Sequence, residues 1–303
     1  MERKNVNLTN LQCKELDEVI TSLVAKYNTE YIIRFGCLNN SKSITSCFTE
    51  DLKQSDSLYF LLMITTENTR IEHEVQDYVN TFSEKANITI IVHGMETVKH
   101  AIAEGSRFFT AVCRDGMQLY SANGLLLNLD YPNLNPATTF SKAQKHFYHR
   151  FGMASGFLES AGTSYDNSFY SNCMFELHQA VEQACIAVIR VYMGYRSDMH
   201  SLARLINLCR CFSDEPFEVF RRRTEEDKRL FHLLLRSYSD TRYKDDYKIV
   251  DHDADELCTQ TREFLEQIKK LCNKRLNMYR QEAEEAGKDI ADNFPLYPAS
   301  LFV

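Results

Sequence analysis

No stretch of this sequence is apolar enough to cross a membrane. The longest hydrophobic run, Leu58 to Ile64, has seven residues, where a spanning helix needs about 20. The N-terminal segment, MERKNVNLTNLQCKEL, lacks the apolar core of a signal peptide, so export is not expected. There is no CxxC pair, and of ten cysteines only Cys209 and Cys211 stand close together, which argues against a zinc site. Nor is there an excess of positive charge. Net charge is −7, with 12 basic and 17 acidic residues up to Thr139 and 23 and 25 after it. A module that coats nucleic acid nonspecifically is thereby excluded, while a local phosphate pocket stays open. Ten cysteines without an export signal imply a reducing compartment and free thiols packed as small hydrophobes. The expected location is cytoplasmic, with no membrane partner.

What is present fits a soluble globular chain. Apolar content of 44% and charged content of 25% are ordinary, and 303 residues suffice for two domains with cores of their own. In the first half, Leu8 to Lys26 has helical periodicity, Tyr31 to Phe35 reads as a strand stopping at Gly36-Cys37, and the polar stretch Leu38 to Ser55 reads as a long loop. Leu58 to Ile64 is the most strand-like segment. Asn68 to Lys85 is predicted helical, Asn87 to His93 a strand, Met95 to Cys113 helical with a break near Gly105, and Met117 to Tyr120 an edge strand. Alternation of this kind predicts an α/β domain with a small mixed sheet over 1–129.

Asp130 to Thr139, with two prolines and no periodicity, reads as a linker. From 140 to 287 the periodicity predicts only helices: Phe140 to Ala161, Phe169 to Tyr195, Ser201 to Phe212, Glu225 to Tyr243 and Asp253 to Ala286. These make an all-α antiparallel helical bundle, followed by a tail, 288–303, with the apolar residues of a docking segment. The helix over Phe169 to Tyr195 is apolar on several sides, which places it among other helices. It nevertheless carries His178, Gln179, Glu182 and Gln183, polar groups that are costly to bury without partners.

Three blocks of the second half resemble HEPN domains, helical bundles that bind nucleotides or cleave RNA. They are Phe175-Glu176-Leu177-His178-Gln179-Ala180-Val181-Glu182-Gln183-Ala184, then Met199 to Leu205 (MHSLARL), then Arg236 to Tyr247, whose Tyr238, Arg242, Tyr243 and Tyr247 match a "Y-x-x-x-RY-x-x-x-Y" pattern. Ribonucleases of that family depend on Arg-x(4–6)-His, in which histidine moves a ribose 2′-hydroxyl proton and arginine stabilises phosphate charge. No histidine of this chain stands in that spacing. The nearest approach, Arg196 to His200, has three intervening residues.

The first half resembles a minimal nucleotidyltransferase domain. Ile32 to Cys37 (IIRFGC) is similar to the family's strand and phosphate turn, with Cys37 in place of serine, and Phe108 to Tyr120 to its closing segment. In Tyr59 to Ile64 (YFLLMI), Leu58 and Phe60 stand where active members place two magnesium-binding aspartates. Without carboxylates there is no metal to stabilise nucleotidyl transfer. Asp51 and Asp56 fall outside those positions, so this half reads as catalytically degenerate.

The ligand-binding candidates are His178, Glu182, His200, Arg242, Tyr243 and Tyr247, with Gly36 and Cys37 as a nucleotide-turn candidate. Each has a plainer alternative. His178 and Glu182 either hold a ligand or a dimer seam, or satisfy each other. His200 either binds or merely opens a helix capped by Asp198. Arg242 with Tyr243 and Tyr247 either holds a phosphate and a base or pairs with Asp240, Asp245 or Asp246. Arg221-Arg222-Arg223, followed by three acids, reads as a mixed-charge helix start. The expectation is a non-catalytic, homodimeric, nucleotide- or RNA-binding protein with no catalytic residue, cofactor or metal. The alternatives are a metal-independent ribonuclease using Arg242 with His178 or His200, and a purely structural dimerisation module.

Overall fold

The structure is a computed structural model that describes residues 10–46, 49–67, 70–83, 86–220 and 222–287, with residues 10, 11, 39–46 and 49–56 described by backbone only. The tail at 288–303 and Arg221 lie outside the described residues. Two compact units are present: Met1–Asn133 with Ser197–Glu218, and Leu134–Arg196 with Val219–Val303.

The first unit contains α1 (Asn10–Lys26), β1 (Thr29–Ser46), β2 (Thr49–Thr65), α2 (Glu72–Asn80), β3 (Asn87–Gly94), α3 (Met95–Ala103), α4 (Arg107–Asp115) and β4 (Met117–Ser121). The strands form one mixed sheet in the order β3-β2-β1-β4. β2 runs parallel to β3, and β1 is antiparallel to both β2 and β4. One face, including Ile32, Tyr59, Leu61, Met63 and Ile90, packs on Leu16, Val19 and Leu23 of α1 and Val75 and Val79 of α2. Leu58 to Ile64 is buried throughout, which is why that strand is apolar at every position instead of alternating.

Two expectations are corrected here. β1 does not stop at Gly36-Cys37, and Leu38 to Ser55 is not a loop. Pairing of β1 with β2 continues from Leu38↔Leu58 to Ser46↔Thr49. Gly36 and Cys37 pair with Phe60 and Tyr59 inside β1, just after a register shift between Arg34 and Gly36, rather than forming a strand-ending turn. A side chain at Gly36 would lie 2.7 Å from Cys211 Sγ and 3.1 Å from Phe60 Cδ2, so glycine is required there by close packing rather than by a turn. Cys37 is half-buried, and burial raises its thiol pKa.

α7 (Leu202–Cys209) and the short 3-10 helix Glu215–Val219 follow in the chain. The expected domain division put residues 197–218 in the bundle, yet they count with the first unit. The physical reason is visible at Arg204, whose Nη2 donates to Glu72 Oε1 at 3.1 Å and to the Ile90 carbonyl at 3.4 Å. The edge strand β3 is further engaged by α2. Gln76 donates to the Ile88 carbonyl (2.8 Å) and accepts from the Ile90 amide (3.1 Å), and Glu72 accepts from the Val92 amide (3.3 Å).

The second unit holds α5 (Pro136–Asp166), α6 (Tyr170–Met193), α8 (Glu225–Tyr243) and α9 (Asp251–Glu285). α5 begins inside the expected linker. Pro136 suits a first helical position and Asn135 caps it by accepting from the Thr138 amide at 3.1 Å. α6 packs against α5, α8 and α9, and Leu177, Ala180, Val181, Ala184, Val188 and Val191 are completely buried. Phe169, assigned from periodicity to the apolar stripe, instead precedes the helix and is exposed. α6 ends at Gly194 in the left-handed region, φ 67°, a conformation that glycine adopts without strain.

Candidate functional site

The four polar residues of α6 all find partners. His178 is 3% exposed, and its Nδ1 lies 2.9 Å from the Leu234 carbonyl oxygen of α8. A carbonyl can only accept, so Nδ1 carries the proton and Nε2 is left facing Glu182 Oε2 at 3.9 Å. Burial lowers the His178 pKa, opposed by that backbone bond. The ring is therefore neutral at pH 7, and its approach to Glu182 is not an ion pair. Glu182 accepts from Gln179 Nε2 at 3.0 Å, and Gln183 accepts from Arg150 Nη1 at 2.8 Å. The proton of His178 is thus committed to the Leu234 carbonyl, and its unprotonated Nε2 makes no hydrogen bond to the Glu182 carboxylate.

One turn beyond Leu234, Tyr238 lies across this surface. Its ring is stacked on Phe175 at 5.8 Å and tilted against His178 at 5.6 Å. The Arg242 guanidinium sits 4.8 Å from the Tyr238 centroid and 5.1 Å from that of Tyr243. Tyr243 is 73% exposed. Asp240, the expected ionic partner of Arg242, instead pairs with Lys244 (2.8 Å) and Arg236 (3.4 Å). Although burial opposes its ionisation, Lys244 and Arg236 hold its pKa below the usual carboxylate value. Among the described residues, the contacts of Arg242 are two aromatic faces and no carboxylate. An exposed cation flanked by tyrosines offers charge to an anion and a flat surface to a base.

The remaining candidates lie elsewhere. Tyr247 is half-buried beside Asp240, its pKa pushed up to about 12 by burial first and then by that carboxylate. Its hydroxyl has no hydrogen-bond partner among the described residues, while its carbonyl accepts from Ser171. His200 is exposed and belongs to the first unit, unlike His178 and Arg242. The cap of α7 is Ser201, not Asp198. At α8, Thr224 and Asp227 form a capping box, so the charge-rich run there is a helix start, and Arg222 covers Phe231.

Two features escaped the sequence reading. Tyr238, present in the motif but not among the ligand-binding candidates, connects His178 to Arg242, and its position four residues before Arg242 is the signal for that contact. The other is a cationic neighbourhood at the start of α5. From Tyr131 to Leu158 the chain has no acid, while Lys142, Lys145, His146, His149 and Arg150 recur at helical spacing. The His146 pKa is lowered by burial and then by Arg190, Arg150, Lys145 and His149.

In the first unit, Leu58 is 6% exposed and Phe60 0%. Phe60 lies 6.1 Å from the Phe35 ring, which meets Phe108 at 5.6 Å. Hydrocarbon thus fills the positions at which the resemblance expects aspartates. Asp51 and Asp56 belong to β2, and their side chains lie outside the described residues. Among the described residues no three His, Cys, Asp or Glu side chains are grouped to hold a metal ion, and no helix is long and apolar enough to cross a membrane.

Residues 149–271 match the HEPN domain family. The match spans the motifs on α6, α7 and α8 that carry the resemblance. The chain is also similar to the crystal structure of a nucleotidyltransferase-like protein from Exiguobacterium sibiricum, at 11% identity and a TM-score of 0.28, over 89% of this chain and 80% of that one. No curated protein matches.

Proposed function

We propose that this chain is a nucleotidyltransferase–HEPN fusion without catalysis of its own, which binds a nucleotide or an RNA end on its HEPN domain. The observation that carries the reading is the Arg242 guanidinium held between Tyr238 and Tyr243, with no carboxylate partner among the described residues. A phosphate would take the guanidinium as a charge-assisted, two-pronged partner, and a base would lie on an exposed phenol ring. The cationic start of α5 supports an anionic ligand for the same unit.

The non-catalytic half of the reading rests on two departures. Leu58 and Phe60 are buried where a magnesium site needs carboxylates. No Arg-x(4–6)-His motif exists, and His178, which shares the Tyr238 ring with Arg242, has its Nδ1 proton committed to Leu234. A ribonuclease using this pair would need a ring free to exchange protons with substrate. None of the nine described cysteines is in a disulfide, in keeping with a cytoplasmic protein. A homodimer remains part of the proposal, on the strength of the resemblance.

The test is a titration of the full chain with ATP, GTP and a short 5′-phosphorylated RNA, read by thermal stability. Specific binding raises the midpoint by linkage, and the rise at equal ligand concentration is smaller in Arg242→Ala. No shift with any ligand would reject nucleotide binding and leave a protein-interaction module. RNA cleavage abolished by Arg242→Ala would replace the proposal with the ribonuclease.

A further inference from the structure

Between α6 and α9, Cys173 Sγ and Cys258 Sγ lie 3.5 Å apart, from positions 85 residues distant in sequence. Both are unpaired thiols. We infer that Cys173 and Cys258 form a peroxide-oxidisable dithiol that closes into a disulfide joining the central helix to the last one.

The two sulfurs are not equivalent. Cys258 is 7% exposed and Cys173 0%, so a small oxidant reaches Cys258 first. The chemistry agrees with the geometry. A hydrogen bond from Cys173 and the nearby charge of Arg262 lower the Cys258 pKa against the opposing effect of burial, while the hydrogen bond to Cys258 and burial raise that of Cys173. Cys258 is thus the better thiolate, and the thiolate is the nucleophile. Cys113 differs: burial is the sole cause that pushes it up, to about 12.

The steps balance with a peroxide, ROOH, as the two-electron oxidant. Cys258 thiolate attacks the terminal oxygen, the O–O bond breaks, and RO⁻ leaves to become ROH, giving a sulfenic acid. The Cys173 sulfur then attacks the Cys258 sulfur, the S–O bond breaks, and the departing hydroxide takes the Cys173 proton to become water. Two thiols are oxidised and one peroxide is reduced. Closing the pair requires the sulfurs to move from 3.5 Å to about 2.0 Å, a displacement of the scale that side-chain rotation provides. In a reducing compartment such a bond is transient, which suits a sensor better than a structural staple.

The experiment treats the native full-length protein with a few equivalents of hydrogen peroxide, blocks remaining thiols by alkylation, and maps peptides by mass spectrometry. The expected product is a Cys173–Cys258 linked peptide, a whole-chain mass lower by two hydrogens, reversal by dithiothreitol, and a higher thermal midpoint. Cys173→Ser should halt the reaction at a Cys258 sulfenic acid that dimedone traps, and Cys258→Ser should leave Cys173 reduced. The inference is overturned if the linked peptide forms only after denaturation, or if Cys173 and Cys258 both stay alkylatable after peroxide treatment of the native protein.

Discussion

The guanidinium of Arg242 rests 4.8 Å from the ring centroid of Tyr238, and that ring in turn lies 5.6 Å from His178. A buried neutral imidazole, a half-exposed phenol and an exposed cation are thereby layered from the core of the second unit outward. The outermost layer is where ligand contact is proposed, and the innermost is where stability resides. Arg242→Ala should weaken nucleotide or RNA-end affinity by about tenfold, equivalent to about 1.4 kcal/mol, while leaving the ligand-free thermal midpoint unchanged. Arg242→Lys should recover only part of the binding, because lysine lacks the planar fork that stacks on tyrosine. Equilibrium titration of the three proteins checks the order.

Stability should fall on the acid side of neutrality. The pKa values of His178, His93 and His146 are all lowered from 6.5, with burial the first cause in each. Just below pH 6.5 the unfolded chain binds protons that the folded one refuses, so their contribution is complete above that pH. It drains away as pH falls, until the folded groups titrate as well. His178→Asn keeps a donor for the Leu234 carbonyl and removes the titration. Its unfolding free energy should change less steeply between pH 7 and pH 5, by up to about 1.4 kcal/mol per pH unit. A slope identical to that of the parent would show that His178 does not titrate differently on folding.

Restoring aspartates to β2 should not restore chemistry. Phe60 is fully buried among Phe35 and neighbouring side chains, so Phe60→Asp removes a core ring and buries a charge. Each of those changes costs several kcal/mol, and together they should exceed about 4 kcal/mol. Denaturant unfolding of Phe60→Asp and of Leu58→Asp with Phe60→Asp should show a collapsed or absent folded baseline. A folded double variant that binds magnesium would mean that the site is retained in latent form.

The helices and the central sheet strands were legible because burial imprints an apolar pattern on their residues. α6 is apolar on all sides because α5, α8 and α9 surround it, and β2 is apolar from Leu58 to Ile64 because both sheet faces are covered. The outer part of the β1–β2 hairpin was illegible for the opposite reason. Beyond Leu38 and Leu58 these strands pair, among the described residues, only with each other, and the sequence from Asn39 to Ser55 is largely polar without the alternation of a half-buried strand, so it reads as a loop. α7 shows how periodicity can find a helix without finding its partner. Leu202, Leu205 and Ile206 declare an apolar face, but the anchor of Arg204 is Glu72, 132 residues earlier. At the site, the motif gave Arg242 and Tyr243, whereas the partnering of His178 with a backbone carbonyl leaves no trace in side-chain pattern.

Gln76 offers β3 one donor and one acceptor from the side of the sheet where no strand follows. A helix residue thus impersonates a fifth strand. The segment it shields, Ile88-Thr89-Ile90-Ile91-Val92, is uncharged, proline-free and rich in β-branched residues, the composition of a fibril-forming stretch. Local opening of α2 would bare that edge long before the chain unfolds globally. Gln76→Ala should therefore cost about 2 kcal/mol through orphaned backbone groups, and at pH 7 it should also raise thioflavin-positive aggregation out of proportion to that loss. The solubility of this protein in storage would then be governed by the fraying of one nine-residue helix rather than by the strength of either core.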